Sequence, residues 1–276
     1  MVSIVIPAHD EAKVIGRLLR GLLESARPGD LDIVVVPNGC TDATADIAAS
    51  FGDAVRVVET PEASKAAALR LGDTAARGFP RLYVDADVEL RTADVHALAA
   101  ALDRPGILAA APSRALNMTG RPWTVRAYYA VWTRLPEIRR GLFGRGVIGV
   151  TAEGHTRIAA LPQVMADDLA ASLAFAPHER AIANGARVVV HPPRTLADLL
   201  RRRERAAAGT DQLESAAPDQ PGGSARTGVA DLAAIARRAP WLTPHIALFL
   251  TVALIARHRA RHATPTTWQR DNSSRA

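Results

Sequence analysis

Two aspartates one residue apart, Asp85 and Asp87, close the hydrophobic run Leu82-Tyr83-Val84. At i and i+2 of an extended chain both carboxylates point to the same side. Hard oxygen ligands so placed suit Mg2+ or Mn2+, with the ion shared by substrate phosphates. A solvated turn at a strand end has the same signature. A second acidic pair, Asp167-Asp168, opens a helical pattern. Adjacent carboxylates repel, which raises one pKa toward a value suited to proton abstraction. As plain first-turn acids they would serve only the helix dipole. Lys65 follows Ser64 at the start of another helical pattern. Free amides there attract anions, and an ammonium adds a point charge. Lys13 and Lys65 are the only lysines among 34 basic side chains, so Lys65 stands out from the arginine background.

The elements that must carry these groups follow from periodicity. β-branched runs at 2–6, 33–36, 55–58 and 82–84 read as buried strands. Helical patterns fill 11–23, 43–50 and 64–76, the first with Val14, Ile15, Leu18, Leu19, Leu22 and Leu23 on one face. Such alternation predicts a parallel sheet with right-handed crossovers. Ligands then sit beyond the carboxyl ends of the strands, which gathers segments 7–11, 37–42, 59–65 and 85–89 around one crevice. Further along, 107–111 and 187–191 read as strands, and 141–151 as a glycine-punctuated loop and strand. Segments 122–135, 167–175 and 195–205 read as helices, the first rich in Trp and Tyr. Segment 214–228 has linker composition, and helices are expected at 229–238 and 244–261. The domain reading is therefore 1–213, a linker at 214–228, and a helical extension at 229–276.

The chain has 276 residues, 48% of them hydrophobic and 22% charged, which excludes a disordered or fibrous protein. A lone Cys40 excludes an internal disulfide, and no Cys/His cluster has zinc-finger spacing. The start, Met1-Val2-Ser3-Ile4, lacks the basic region of a signal peptide, so a cytoplasmic location is expected. Residues 1–193 are electrically balanced, and the net charge of +6 lies wholly in residues 194–276. A basic segment beside a neutral domain points to an anionic membrane surface or a phosphorylated substrate. No aromatic-plus-basic module for reading nucleic acid is present. The apolar stretch 241–255 is short of the about 20 residues a spanning helix needs. It reads equally as an interfacial helix, anchored by Trp241 and followed by Arg257, Arg259 and Arg261, or as one buried against the domain or a partner chain.

The ordered segments V-S-I-V-I-P-A-H-D-E, I-V-V-V-P-N-G-C-T-D, S-K-A-A-A-L-R, L-Y-V-D-A-D-V and A-D-D-L carry more than any one of them alone. Together they resemble the family 2 inverting glycosyltransferases of bacteria, over about residues 1–210. The resemblance implies an α/β GT-A fold: a Rossmann-like central sheet flanked by helices, here with a C-terminal helical extension. It implies a UDP- or GDP-sugar donor, an acceptor with a free hydroxyl and a Mn2+ or Mg2+ cofactor; the basic, apolar C-terminus suits a lipid-linked acceptor, and a small soluble one stays open. Carried over by position, Pro7, Ala8, His9 and Glu11 border the nucleotide. Asn38 stands where the family has an acid, and Lys65 lies beside the nucleotide. Asp85 and Asp87 hold the metal, with Asp85 also facing the donor, and Asp167 and Asp168 form the catalytic pair with Asp168 as base. Arg205 matches an arginine that clamps the diphosphate, although Ala206 replaces the tryptophan usual after it. Cys40 replaces a serine and reads as a small packing residue. The end T-T-W-Q-R-D-N-S-S-R resembles tails of bacterial members.

Two other classes fit part of the pattern. A strand, D-x-D and a later acidic pair also resemble haloacid-dehalogenase-like phosphatases, in which Asp85 would be a nucleophile. That reading places the nucleophile strand near the chain start and leaves the P-A-H-D-E and N-G-C-T-D segments unused. The absence of the usual acids at Pro37 and Asn38 also suits a non-catalytic, membrane-associated glycosyltransferase-like subunit, against which stands the presence of Asp85, Asp87 and the Asp167-Asp168 pair.

Overall fold

Runs of Ile and Val buried on both faces make the central strands, as a sheet covered on two sides requires. In the computed structural model, which describes residues 1–161, 167–216, 221 and 227–262, the chain begins β1 (Val2–Ala8), α1 (Ile15–Leu23), β2 (Leu31–Pro37), α2 (Thr44–Ala49), β3 (Val55–Val57), α3 (Lys65–Ala75), β4 (Arg81–Val84) and α4 (Thr92–Leu102). It continues β5 (Ala109–Leu116), α5 (Trp123–Trp132), α6 (Pro136–Arg140), β6 (Val147–Val150), α7 (Ala152–Ala159), α8 (Asp167–Leu173), β7 (Arg180–Val190), α9 (Leu196–Ala216), α10 (Val229–Arg238) and α11 (Thr243–His262).

The strands form one seven-stranded sheet in the order β3-β2-β1-β4-β6-β5-β7. β3, β2, β1 and β4 are mutually parallel, with Ile4 opposite both Ile33 and Leu82. The parallel arrangement expected from the strand–helix alternation of the first four strands is thus observed. β6 runs antiparallel to β4 and β5, because the glycine-rich loop 141–146 turns the chain back along β4 before the strand begins. β7 then pairs parallel with β5, with a register shift between Pro112 and Ser113.

One apolar core lies between this sheet and α1 and α4, where Ile15, Leu18, Leu19, Leu22 and Leu98 are fully buried. On the opposite face α3 rests on β1 and β2 and begins with a true cap: the Ser64 hydroxyl accepts from the Ala67 amide at 3.2 Å. A second core joins α5, α9, α10 and α11 through Tyr128, Leu199, Ile235 and Phe249. α9 runs eleven residues past the expected end at Arg205, to Ala216, so it enters the segment read as a linker. Most of the remaining linker and the tail 263–276 lie outside the described residues. α11 is longer than the apolar stretch that suggested it. Residues Pro240–His262 form 23 residues of helix with a mean hydropathy of 1.3 in the most apolar window, long and apolar enough to cross a bilayer by those criteria.

Candidate active site

A groove of about 580 Å³ opens where the parallel strands end, between α3 on one side and α7 and α8 on the other. Pro7, Lys65, Asp85 and Asp168 all line it, so four of the sequence-derived residues converge from four separate elements. Lys65 Nζ donates to Asp85 Oδ1 at 2.9 Å. Pro7 closes the β1 edge, and Gln212 reaches in from α9. Asp167 opens α8, and Asp87 is half-buried on the same alternating face as Asp85 but stands outside the lining. Arg205 lies on α9, seven residues and so two turns before Gln212 on the same helix face, also outside the lining.

The glycine-punctuated loop before β6 fixes both acids. Asp85 donates its backbone N–H to the Gly146 carbonyl at 2.8 Å, and the Gly144 N–H donates to Asp168 Oδ2 at 2.8 Å. Two arginines hold this loop from behind. Arg114 donates to the Gly144 carbonyl at 2.8 Å and lies over the Trp132 ring at 4.4 Å. Arg145, only 3% exposed, donates to the carbonyls of Gly141 at 3.1 Å and Pro112 at 3.0 Å. Burial pushes Arg145 down to about 10, and burial with the Arg145 charge pushes Arg114 down to about 9. Both stay cationic at neutral pH, and their positive field lies beside the acidic groove.

The ends of β1 and β2 are tied to each other. Asn38 is 1% exposed and its Nδ2 donates to the Ala8 carbonyl at 2.9 Å. His9 Nδ1–H donates to the Asn38 carbonyl. Glu11, 6% exposed, donates its N–H to Thr44 Oγ1 at 2.6 Å. Asp10 adopts φ +49°, a left-handed geometry that Asp tolerates, and its carboxylate accepts from the Thr41 and Asp42 amides. Cys40 Sγ donates to the Ala8 carbonyl at 3.4 Å, and burial pushes its thiol up, which suits a packing role. Asp10, Cys40 and Asp42 present ligand atoms within 4.8 Å of one another, but Asp10 Oδ1 already accepts two backbone amides and Oδ2 the Thr41 hydroxyl.

The lower end of the groove carries residues the sequence reading did not single out. Tyr83 OH donates to Asp73 Oδ1 at 2.8 Å and meets His155 Nδ1 at 2.8 Å. Arg81 Nη1 adds a bond to the same Asp73 oxygen at 2.8 Å. Burial, with Asp73 beside it, raises Tyr83 well above the usual phenol range, so it stays a neutral donor. The available signal was periodicity: Tyr83 is two residues before Asp85, and Asp73 is two helical turns beyond Lys65. Leu69, Ile148, Ile158 and Leu161 make the stretch between the two polar ends apolar.

Solved structures share this architecture. The mannosyltransferase PcManGT from Pyrobaculum calidifontis, in complex with GDP-Man and Mn2+, superposes with a TM-score of 0.64 at 21% identity, covering 95% of this chain and 76% of that one. Glucosyl-3-phosphoglycerate synthase from Mycobacterium tuberculosis, with Mn2+, UDP and glucosyl-3-phosphoglycerate, gives 0.54 at 20% identity, covering 78% and 80%. The fold is that of the GT-A glycosyltransferases. Within that class the chain belongs to Glycosyl transferase family 2, whose family model matches residues 3–156, more than half of its length. A 4,4'-diaponeurosporenoate glycosyltransferase of Staphylococcus aureus (strain USA300) is 38% identical over 90 residues, which is 31% of this chain and 24% of that enzyme. The chain thus spans about a quarter of the length of the curated relatives it matches. The phosphatase alternative loses its footing here, because the D-x-D ends the fourth strand of a family 2 chain.

Proposed function

We propose that this protein transfers a sugar from a nucleoside diphosphate-sugar to an acceptor hydroxyl, with inversion at the anomeric carbon. The convergence of Lys65, Asp85 and Asp168 on one groove at the strand ends carries the reading. The β1 and β2 termini, with Pro7, Ala8, His9, Glu11 and Asn38, border the nucleotide. Lys65 and the free amides at the start of α3 hold the diphosphate, with Arg205 a further cation for it from α9. Asp85 and Asp87 would hold Mn2+ or Mg2+: both are half-buried carboxylates, and Asp85 already keeps a cationic ammonium at 2.9 Å. When bound, such an ion stabilises the negative charge of the departing diphosphate.

Asp168, with Asp167 beside it, takes the proton from the acceptor hydroxyl as that oxygen attacks the anomeric carbon. The bond to the diphosphate oxygen breaks and its electron pair leaves with the nucleotide. The Gly144 amide keeps Asp168 Oδ2 aimed while the other carboxylate oxygen serves as base. The apolar stretch between the polar ends of the groove suits an acceptor with an apolar part, such as a lipid-linked alcohol. A nucleotide-sugar donor is in keeping with work in the cytoplasm.

Calorimetric titration with UDP and GDP, each with and without Mn2+, tests the donor half. Binding of one nucleotide that requires Mn2+ is expected, and no metal-dependent binding of either would overturn it. Asp168→Asn is expected to retain that binding and lose turnover by about 10²- to 10⁴-fold, the usual worth of a general base. Undiminished turnover would remove Asp168 from the role.

A further inference from the structure

α11 buries one face against α5 and α9 and leaves a second apolar face uncovered. Ile246, Phe249, Val252 and Ala256 are between 2% and 9% exposed. On the opposite side Leu250 is 43%, Leu254 64% and Ile255 37% exposed, and Trp241 just before the helix is 70% exposed. Trp123, at the start of α5 and 60% exposed, lies on the α5 side of the same helix, with its ring 5.9 Å from that of His245. Basic side chains bound this strip at both ends: Arg237 and Arg238 before Trp241, and Arg257, Arg259 and Arg261 after Ile255, all exposed. From Leu232 to His262 the sequence has five arginines and no acid.

We propose that this face is a docking surface for an anionic lipid bilayer, with α11 lying in the plane of the interface. Charge complementarity selects the occupant. A bilayer offers acyl chains to Leu250, Leu254 and Ile255 and phosphates to the arginines, so it matches the apolar strip and its cationic border together. Trp241, apolar with one N–H, suits the headgroup boundary between the two. A spanning arrangement would require α11 to abandon Tyr128, whose ring stacks on Phe249 at 4.9 Å.

The test is co-sedimentation of the full chain with vesicles of 30% phosphatidylglycerol in phosphatidylcholine, against pure phosphatidylcholine. Partition into the anionic vesicles at least tenfold stronger is expected, together with a blue shift of tryptophan emission. Leu254→Glu alters an exposed side chain, should leave the thermal melt unchanged, and should weaken partition at least tenfold. Replacing Arg257, Arg259 and Arg261 by Gln should weaken it on the order of a hundredfold, from about fivefold per charge. The proposal fails if wild-type protein ignores both vesicles, or if Leu254→Glu has no effect on partition. Equal, alkali-resistant association with both vesicles would instead indicate a spanning helix. A dimer in light scattering that Leu254→Glu converts to monomer would assign the face to a second copy. Nucleotide binding is measured separately, so failure here leaves the transferase reading untouched.

Discussion

The geometry of the proposed site depends on a residue with no side chain. Gly146 sits at φ +67°, and a Cβ there would come within 2.6 Å of Val88 Cγ1 and 3.2 Å of Asp85 Oδ2. Its carbonyl also receives the Asp85 amide. Gly146→Ala therefore meets a strained backbone and a steric clash at the one place that aims Asp85. A loss of about 1–3 kcal/mol in stability is expected from the left-handed conformation alone. Turnover should fall by a larger factor than the melting temperature would suggest, because the carboxylate is displaced as well. Parallel thermal melts and initial rates would show this, and a variant with wild-type rates would remove the loop from the site's control. The same logic explains why Asp85 and Asp87 stand out in a sequence while the groups that orient them do not. The D-x-D is local, but Gly146 reaches it by tertiary contact, and Arg114 holds the same loop at Gly144.

At the scale of elements, α3 carries Lys65 into the groove and must lie close on β1 to do so. Gly72 makes that approach: its Cβ would come 2.3 Å from Val5 Cγ1, a β-branched side chain that is fully buried and stiff at χ1. Propensity and packing here predict opposite signs. Gly→Ala inside a helix gains up to about 1 kcal/mol from propensity, whereas overpacking costs about 1–3 kcal/mol. Gly72→Ala is expected to lower stability in urea denaturation; a gain would mean that α3 has room to move. Asp32 secures the same region from beneath. It is 5% exposed and accepts from Ser3 Oγ at 2.9 Å, the Arg77 amide at 2.8 Å and the Arg56 guanidinium, so it joins β1, β2, β3 and the end of α3. Burial alone would raise its pKa, but these donors outweigh burial and hold it below the ordinary carboxylate value. A depressed folded pKa means that its stabilisation is complete above about pH 4 and is lost as pH falls through the lower folded value. Asp32→Asn is expected to lose about 1.5–3 kcal/mol at pH 7, with the gap to wild type closing below pH 4 in denaturation curves. A gap independent of pH would contradict this.

These elements also show where sequence reasoning ended. β1, β2, β4 and α1 were legible because their burial is a simple period of hydrophobic residues, and the acids at their ends followed. β6 was legible as a strand within 141–151 but not in direction, because four residues after a run of glycines give none, and only pairing with β4 makes it antiparallel. The Tyr83, Asp73 and His155 network joins a strand and two helices; periodicity places Tyr83 with Asp85 and Asp73 with Lys65, but no spacing brings His155 to them.

Across the whole molecule the question is whether the helical C-terminal part is an appendage or half of the structure. The sequence boundary at 213 suggests the former. The second core argues for the latter, since α5, which precedes the groove loop, shares buried residues with α9, α10 and α11. Phe249 is its central contact, 5% exposed and stacked on Tyr128 at 22°. Removing such a ring costs about 3–5 kcal/mol, a large share of the about 5–15 kcal/mol that holds a domain together. In an appended unit that loss would stay local: a separate low-temperature transition, with nucleotide binding intact until the main one. In an integrated fold it passes through α9 to Gln212 at the groove and through α5 to Trp132, on which Arg114 lies. Phe249→Ala is therefore expected to lower a single calorimetric transition by on the order of 10 °C, with nucleotide binding lost over the same range. Two transitions, only the lower one shifted, would restore the boundary at 213 and make the bilayer-facing helix a separable unit.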